Sequence, residues 1–481
     1  MIRLITPMEQ ARPYKFLEQS KVGPAISPGR TTLPLTFLDI SLAGPIYVRR
    51  QFFYHFPYPP HYFIRTTLPS LKHSLSVALQ HFFPLAGNLL CPPPPQKPFI
   101  RCSRDDSITL TVVESASDNF NHYSANCPRN LRELDSLVPE LSWSTVDGNV
   151  DGTDDPTFVF PIVALQVTVF PNAGLCIAIT YCHVMDANCC SHFMKTWASI
   201  RRFDGGDMTF LDRSPPSYDR EVIKDPSGLE AVFLRDYFTE RSTWKDSLVG
   251  KTSKSMLSDD DGLSYKATIV FGRKDIEVLR KWAMDQWGKN DGSHAPRNLS
   301  KFVVTCGFVW TCYVKTRYRD DDEEEKDEHF RFAADCRNRL EYPVENNYFG
   351  NCITRCNATL KRKELKGKEG FLKAVKVIER EIEDMKKEPF KDAEKWNEKF
   401  QKTFVLGSTV LVTGSPKFTV YETDFGFGRP KKVEMVHTFK CMSLAESGSE
   451  EGGLEVGLVF RTDEYQHFMS VVEQGLQTFK P

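Results

Sequence analysis

The sequence predicts an α/β protein of two domains joined by a crossover linker. Three observations carry that prediction. The chain has 481 residues, enough for two or three domains at roughly 150 residues each. Each half alternates β-branched or apolar runs with segments of helical periodicity. Between the halves, residues 204–262 are richer in Asp, Ser, Gly and Pro and carry Pro215-Pro216. The expected boundaries are 1–205, a linker at 206–262, and 263–481.

The elements follow in chain order. The run Leu35 to Asp39 reads as a short strand entering a loop, and residues 51–64 are aromatic and proline-rich. Next, Leu71, Leu75, Ala78, Leu79 and Phe82 recur at three- and four-residue steps, which predicts an amphipathic helix ended by Pro84, with Gly87 allowing the turn. Residues 163–170 and 175–182 form a hairpin signal around Pro171 to Gly174. Asp186 or Asn188 then caps a helix carrying Phe193, Met194, Trp197 and Ile200. The linker is expected to hold one helix near 228–241.

The second half repeats this grammar. Lys266 to Phe271 reads as a strand, Lys274 to Trp282 as a helix, and Phe302 to Lys315 as a second helix with Phe302, Cys306, Val309 and Trp310 on one stripe. The acidic run 320–328 reads as a solvated loop. Strands are expected near 330–336 and 351–360, one charged helix across 367–402, and strands at 418–422 and 454–461.

Composition narrows the function. Lys+Arg is 62 and Asp+Glu 63, a net charge of -1, which argues against a nucleic-acid or anionic-membrane partner. The longest apolar stretch, 158–170, contains Pro161 and Gln166 and is too short and polar to span a bilayer. The 13 cysteines are odd in number, no secretory signal is recognised at the start, and zinc spacing is absent: Cys189 and Cys190 are adjacent, and Cys352 and Cys356 lack a second pair. Reduced thiols in a cytoplasmic protein without metal are expected.

No P-loop or dinucleotide fingerprint follows a strand. Asp424-Phe425-Gly426-Phe427-Gly428 contains D-F-G, but the other kinase signatures are missing. The remaining constellation is Cys182-His183-Val184-Met185-Asp186, at a strand end before a helix. A neutral imidazole there can accept a proton from a hydroxyl near pH 7. The bland alternative is a buried hairpin histidine beside a capping aspartate.

These residues also carry a resemblance over nearly the whole chain. In order occur Phe82 to Gly87, the His183/Asp186 segment with Phe193 to Ser199, Asp335-Cys-Arg-Asn-Arg339, Tyr348-Phe-Gly-Asn-Cys352, and Ser415 to Pro430. Together they resemble a plant BAHD acyltransferase, and Tyr348 to Cys352 resembles the branch acylating anthocyanin and other phenolic glycosides. The resemblance implies two chloramphenicol-acetyltransferase-like domains with a channel between them. Acyl-CoA would enter as substrate, with no bound cofactor, and a phenolic or glycoside acceptor would meet it; a monomer is expected. The family motif is H-x-x-x-D, in which His deprotonates the acceptor and Asp organises the loop, usually with an Arg. The D-F-G-W-G motif is implied to be structural.

Three departures stand out. His183 and Asp186 are separated by two residues, so aligning Asp186 puts Cys182 at the catalytic position. Alternating side chains on a strand cannot both face the channel without a bulge. His183 as base, Cys182 as covalent nucleophile, and a weakened or repurposed site (lyase-like, or binding only) all stay open. Phe427 stands where the family has Trp. Cys190 stands four residues after the motif Asp, where malonyl-specific relatives resemble one another in an Arg, which points the donor toward a hydroxycinnamoyl or simple aliphatic acyl group. Arg337 or Arg339 is expected near Asp186, and Thr413 and Ser415 near the channel.

Overall fold

Two large sheets dominate the computed structural model, which describes residues 14–116, 119–146, 155–203, 214–248, 264–289, 296–318, 323–405, 408–436, 441–461 and 463–479. The first grows from the hairpin Val163–Phe170 and Gly174–Cys182, in which every residue is buried. Its runs are therefore almost continuously apolar, as strands covered on both faces are. The sheet runs Tyr14–Val22, Ile108–Ser115, Val163–Phe170, Gly174–Cys182, Tyr47–His55, Lys432–Met435. Only Ile108–Ser115 and Val163–Phe170 pair in parallel.

The second sheet runs Ile353–Lys361, Asp327–Asp335, Thr409–Thr413, Cys441–Glu446, Leu454–Arg461, Ser264–Phe271, Arg129–Asn130. A third, of five short strands, joins Thr31–Pro34, Phe99–Cys102, Asn88–Cys91, Thr157–Pro161 and Ser144–Val146. Two short strands are exchanged between the halves of the chain. Arg129–Asn130 pairs with Tyr265 and Lys266, and Lys432–Met435 pairs with Arg50 to Phe53. Buried charges lock the exchange: Glu434 meets Arg129 at 2.6 Å and Lys266 at 3.2 Å, and Lys432 meets Glu455 at 2.7 Å.

The helices Leu68–His81 and Ala187–Arg202 bury their apolar faces in the core of the first sheet. Trp197 ties them, its indole N–H donating toward Leu71 O at 3.3 Å and Ser74 Oγ at 3.2 Å. Leu229–Arg241 forms the linker helix expected near 228–241, and a second, one-turn helix, Trp244–Ser247, follows it where only one was expected. Lys301–Arg317, Gly370–Lys387 and Glu464–Phe479 build the second core.

Five local expectations are corrected. Phe37–Ile40 is a helical turn, because Thr36 and Asp39 form a capping box; the strand lies just before, at Thr31–Pro34. The charged helix splits into Gly370–Lys387 and Trp396–Val405, since Pro389 cannot continue a helix. Residues 416–422 form two 3₁₀ turns rather than a strand. The acidic run ends inside the strand Asp327–Asp335, where buried Glu328 pairs with Arg362 at 2.8 Å; residues 320–322 lie outside the described residues. Gly87 serves close approach, not a left-handed turn: a Cβ there would stand 2.5 Å from Arg101 O.

Candidate active site

His183 and Asp186 flank a two-residue turn between strand and helix. The strand ends at Cys182, the His183 N–H donates to Ile46 O at 3.0 Å, and the Val184 N–H to Cys182 O at 2.8 Å. Val184 and Met185 are fully buried. Asp186 then caps Ala187–Arg202, its Oδ1 accepting from Cys189 N at 3.0 Å.

A second segment, Tyr348 to Cys352, closes on this turn. The Asp186 N–H donates to Gly350 O at 3.3 Å, and Cys352 N–H donates to Asp186 Oδ2 at 3.2 Å. The same carboxylate meets Arg337 at 2.8 Å; Arg337 also reaches Asp335 at 3.1 Å. Tyr348 to Cys352 is thus a connecting segment before the strand Ile353–Lys361, where a packed strand end was expected. Gly350 is required: its φ is +140°, and a Cβ would lie 2.3 Å from Arg220 Nη1.

Asn351 fixes the state of His183. Asn351 Nδ2 donates to Asp39 Oδ1 at 3.0 Å and to His183 O at 2.9 Å. Both partners are acceptors only, so the amide nitrogen must face them. Asn351 Oδ1 is left 3.1 Å from His183 Nδ1. An amide oxygen accepts only, so His183 carries its proton on Nδ1 and leaves Nε2 free as a base. Asp39 is held in turn by Thr36 N and Oγ1, by Asn351 N at 2.8 Å, and by Arg220 at 3.7 Å. Burial holds the half-buried His183 imidazole below its ordinary pKa, so the neutral form prevails near pH 7.

The other expected residues fall around this core. Cys182 is fully buried with its thiol on Pro161 O at 3.4 Å, and burial pushes its pKa well up. Cys190 is buried one turn into the helix and pushed up to about 11 by burial. Arg337, not Arg339, reaches Asp186; Arg339 donates to Asp335 O instead. Thr413 ends a strand, and Ser415 caps the 3₁₀ turn Pro416–Phe418. Asp424 Oδ1 accepts from Gly426 N at 2.7 Å and Gly428 N at 2.9 Å, and its Oδ2 meets Arg202 at 3.0 Å. Phe425 is buried edge-on against Trp197 at 4.7 Å, and Phe427 packs on Tyr54, Phe56 and the Arg201 guanidinium. Among the described residues, no cluster of three or more His, Cys, Asp or Glu suits a metal, and no helix is long and apolar enough to cross a membrane.

Sequence reasoning missed Asn351 as the partner of His183 and Asp39 as the anchor of Asn351. The Thr36-x-x-Asp39 spacing was a usable signal for the turn that places Asp39; nothing local pairs it with position 351.

Comparison with known proteins places the family and the fold. A sequence model described as the Transferase family matches residues 15–474. Coumaroyl-CoA:anthocyanidin 3-O-glucoside-6''-O-coumaroyltransferase 2 of Arabidopsis thaliana is 34% identical, covering 98% of this chain and 99% of its own. Malonyl-coenzyme A:anthocyanin 3-O-glucoside-6''-O-malonyltransferase of Dahlia pinnata is 35% identical, covering 96% and 97%. The crystal structure of vinorine synthase shares the fold at a TM-score of 0.64 and 17% identity, covering 97% of this chain and 98% of that one. F. graminearum TRI101 with ethyl coenzyme A gives 0.63 at 15% identity, covering 92% and 97%.

Proposed function

The chain belongs to the Transferase family of BAHD acyltransferases and is itself an acyltransferase, and from that premise we propose how its own residues do the work. The acyl group passes from a CoA thioester to a sugar hydroxyl of a phenolic or flavonoid glycoside. His183 Nε2 takes the hydroxyl proton as the oxygen attacks the thioester carbonyl. The tetrahedral intermediate collapses, the C–S bond breaks, and the leaving CoA thiolate receives the proton from the imidazolium. Ester and free CoA result, with no acyl-enzyme. Asp186 with Arg337 organises the loop, and Asp424 to Gly428 with its aromatic neighbours is structural. CoA arrives as substrate; no resident cofactor is needed. Residues 1–205 and 263–481 act as the two domains, stitched by the exchanged strands. We place the enzyme in the cytoplasm as a monomer, in keeping with its 13 free thiols and near-zero net charge.

The observation that carries this is the His183–Asn351–Asp39 chain, which supplies a neutral imidazole with a defined tautomer. Cys182 has no comparable activation. The test offers the full chain p-coumaroyl-, acetyl- and malonyl-CoA with an anthocyanidin 3-O-glucoside and follows acylated product by mass spectrometry. Product formation that drops about 10²–10⁴-fold in His183→Ala supports a general base. Unchanged turnover in that variant defeats it.

A further inference from the structure

Arg220 lies in the crossover linker, yet it reaches the His183–Asn351–Asp39 chain. A backbone bridge brings it there: Ser217 N–H donates to Asn347 O at 3.0 Å, and Phe349 N–H to Ser217 O at 2.8 Å. The guanidinium stands 3.7 Å from the Asp39 carboxylate, and its Nη1 donates to Tyr348 Oη at 2.8 Å and to Phe349 O at 2.5 Å. The Arg220 side chain is 8% exposed and that of Asp39 0%. Nε and Nη2 of Arg220 are buried with no hydrogen-bond partner among the described residues. Among those residues Asp39 is the acid within ion-pairing distance of Arg220, and Arg220 the cation within that distance of Asp39. Each buried charge therefore depends on the other.

The other groups on Asp39 carry no charge. Its Oδ2 accepts from Thr36 N at 3.0 Å and Thr36 Oγ1 at 2.9 Å, and its Oδ1 from Asn351 N at 2.8 Å and Asn351 Nδ2 at 3.0 Å. The Tyr348 phenol is near enough to feel the Asp39 charge, and burial raises its pKa, which keeps it neutral. The protonation of Asp39 then decides which way Asn351 faces. A carboxylate accepts only, so it takes the amide N–H and leaves Asn351 Oδ1 to His183 Nδ1. A buried carboxylate that loses its cation takes up a proton, and a protonated Asp39 can donate to the Asn351 oxygen. The amide is then free to turn over, present an N–H to His183 Nδ1 and move the imidazole proton to Nε2.

We propose that Arg220 is a positioning residue for the base: by balancing the Asp39 charge from the linker, it fixes the Asn351 amide and, through it, the tautomer of His183. The proposal rests on His183 as the base of the transfer reaction above. It gives the crossover linker a part in the chemistry, two residues removed from the imidazole.

The experiment uses the full chain as wild type, Arg220→Gln, Arg220→Lys, Asp39→Asn and the Arg220→Gln/Asp39→Asn double variant. The donor is whichever of p-coumaroyl-, acetyl- and malonyl-CoA the wild type uses best, with one glucoside acceptor. In Arg220→Gln, kcat is expected to fall about 100-fold while KM for either substrate stays within about threefold. Arg220→Lys keeps the charge but loses the fork, and is expected to recover at least about tenfold of that loss. Because Arg220 acts through the Asp39 charge, adding Arg220→Gln to Asp39→Asn should lower kcat no further. NMR of the chain labelled with heavy-nitrogen histidine reads the tautomer directly at alkaline pH, with His183→Ala assigning the signal. The proton is expected on Nδ1 in wild type and Arg220→Lys, and on Nε2 in Arg220→Gln. If Arg220→Gln does not fold by circular dichroism, the Arg220→Lys and double variants decide. A native tautomer in folded Arg220→Gln, equal losses in the Lys and Gln variants, or additive losses in the double variant overturn the proposal. A wild type that transfers none of the acyl groups overturns the transferase reading instead, and the tautomer measurement still decides the role of Arg220.

Discussion

Asn351 presents its amide oxygen to His183 Nδ1 at 3.1 Å, although 168 residues separate them in sequence. Asp39 decides which way the amide points, because it takes the Asn351 amide N–H. Asn351→Ala removes the acceptor and frees the imidazole to place its proton on Nε2, the wrong nitrogen for a base. The expected result is a fall in kcat of roughly 100-fold with little change in the donor KM. Asp39→Asn should act in the same direction. An Asn351→Ala enzyme with native kcat would remove Asn351 from the positioning of His183.

Three half-buried imidazoles set the acid side of both activity and stability. Burial lowers His183 below its ordinary value, lowers His329, and takes His192 to about 4. Base catalysis needs neutral His183, so kcat/KM should rise with pH along a limb whose midpoint is below about 6.5, then level off by neutrality. For stability, the unfolded chain binds these protons more readily than the folded one. Stability is therefore complete above about pH 6.5 and is lost as pH falls through the lowered native values. Melting curves from pH 7.5 to 4.5 check the second point; a Tm that rises on acidification contradicts it.

Cys182 and His183 are neighbours in sequence with opposite environments. The Cys182 thiol is fully buried on Pro161 O, and burial raises its pKa, which keeps it protonated. Cys182→Ala should retain activity within about threefold while His183→Ala loses it. Intact-mass measurement during turnover should show no acylated enzyme. An acyl adduct lost in Cys182→Ala would reinstate the covalent route.

The legible parts of the fold and site were local. The hairpin 163–182 and the cap at Asp186 lie within one short stretch, where strand alternation and the cap decide the geometry. Arg337 was found among two candidates because it belongs to a motif, yet its partner is 151 positions away from it. Asn351 and Asp39 were missed since their roles exist only once the Tyr348 to Cys352 segment crosses to the first sheet. The short strands Arg129–Asn130 and Lys432–Met435 were invisible for the same reason: each has two to four residues and owes its structure to a distant partner. Pro389 and the Thr36/Asp39 box were available signals passed over. The burial of Arg129, Lys266 and Lys432 was equally illegible, because sequence does not reveal which charges are buried.

The Asp186–Arg337 pair should prove structural in energy and indirect in chemistry. Both side chains are almost completely buried, and Asp186 also accepts two backbone N–H bonds, from Cys189 and Cys352. Arg337→Gln strands that carboxylate, a change that typically costs about 3–5 kcal/mol. Asp186→Asn keeps a helix-capping oxygen but strands Arg337, so it should destabilise by a similar amount. Asp335 offers the control: it meets the same guanidinium, but is half exposed at 49%, and Asp335→Asn should cost no more than about 1 kcal/mol. Thermal melts of the three variants rank them, with Arg337→Gln and Asp186→Asn well below Asp335→Asn. Because Asp186 both holds the loop that carries His183 and offsets its burial by charge, Asp186→Asn should lose kcat and move the acid limb of the pH profile to lower pH, whereas Arg337→Gln should lose kcat with the limb in place. An unmoved limb in Asp186→Asn would confine Asp186 to holding the loop.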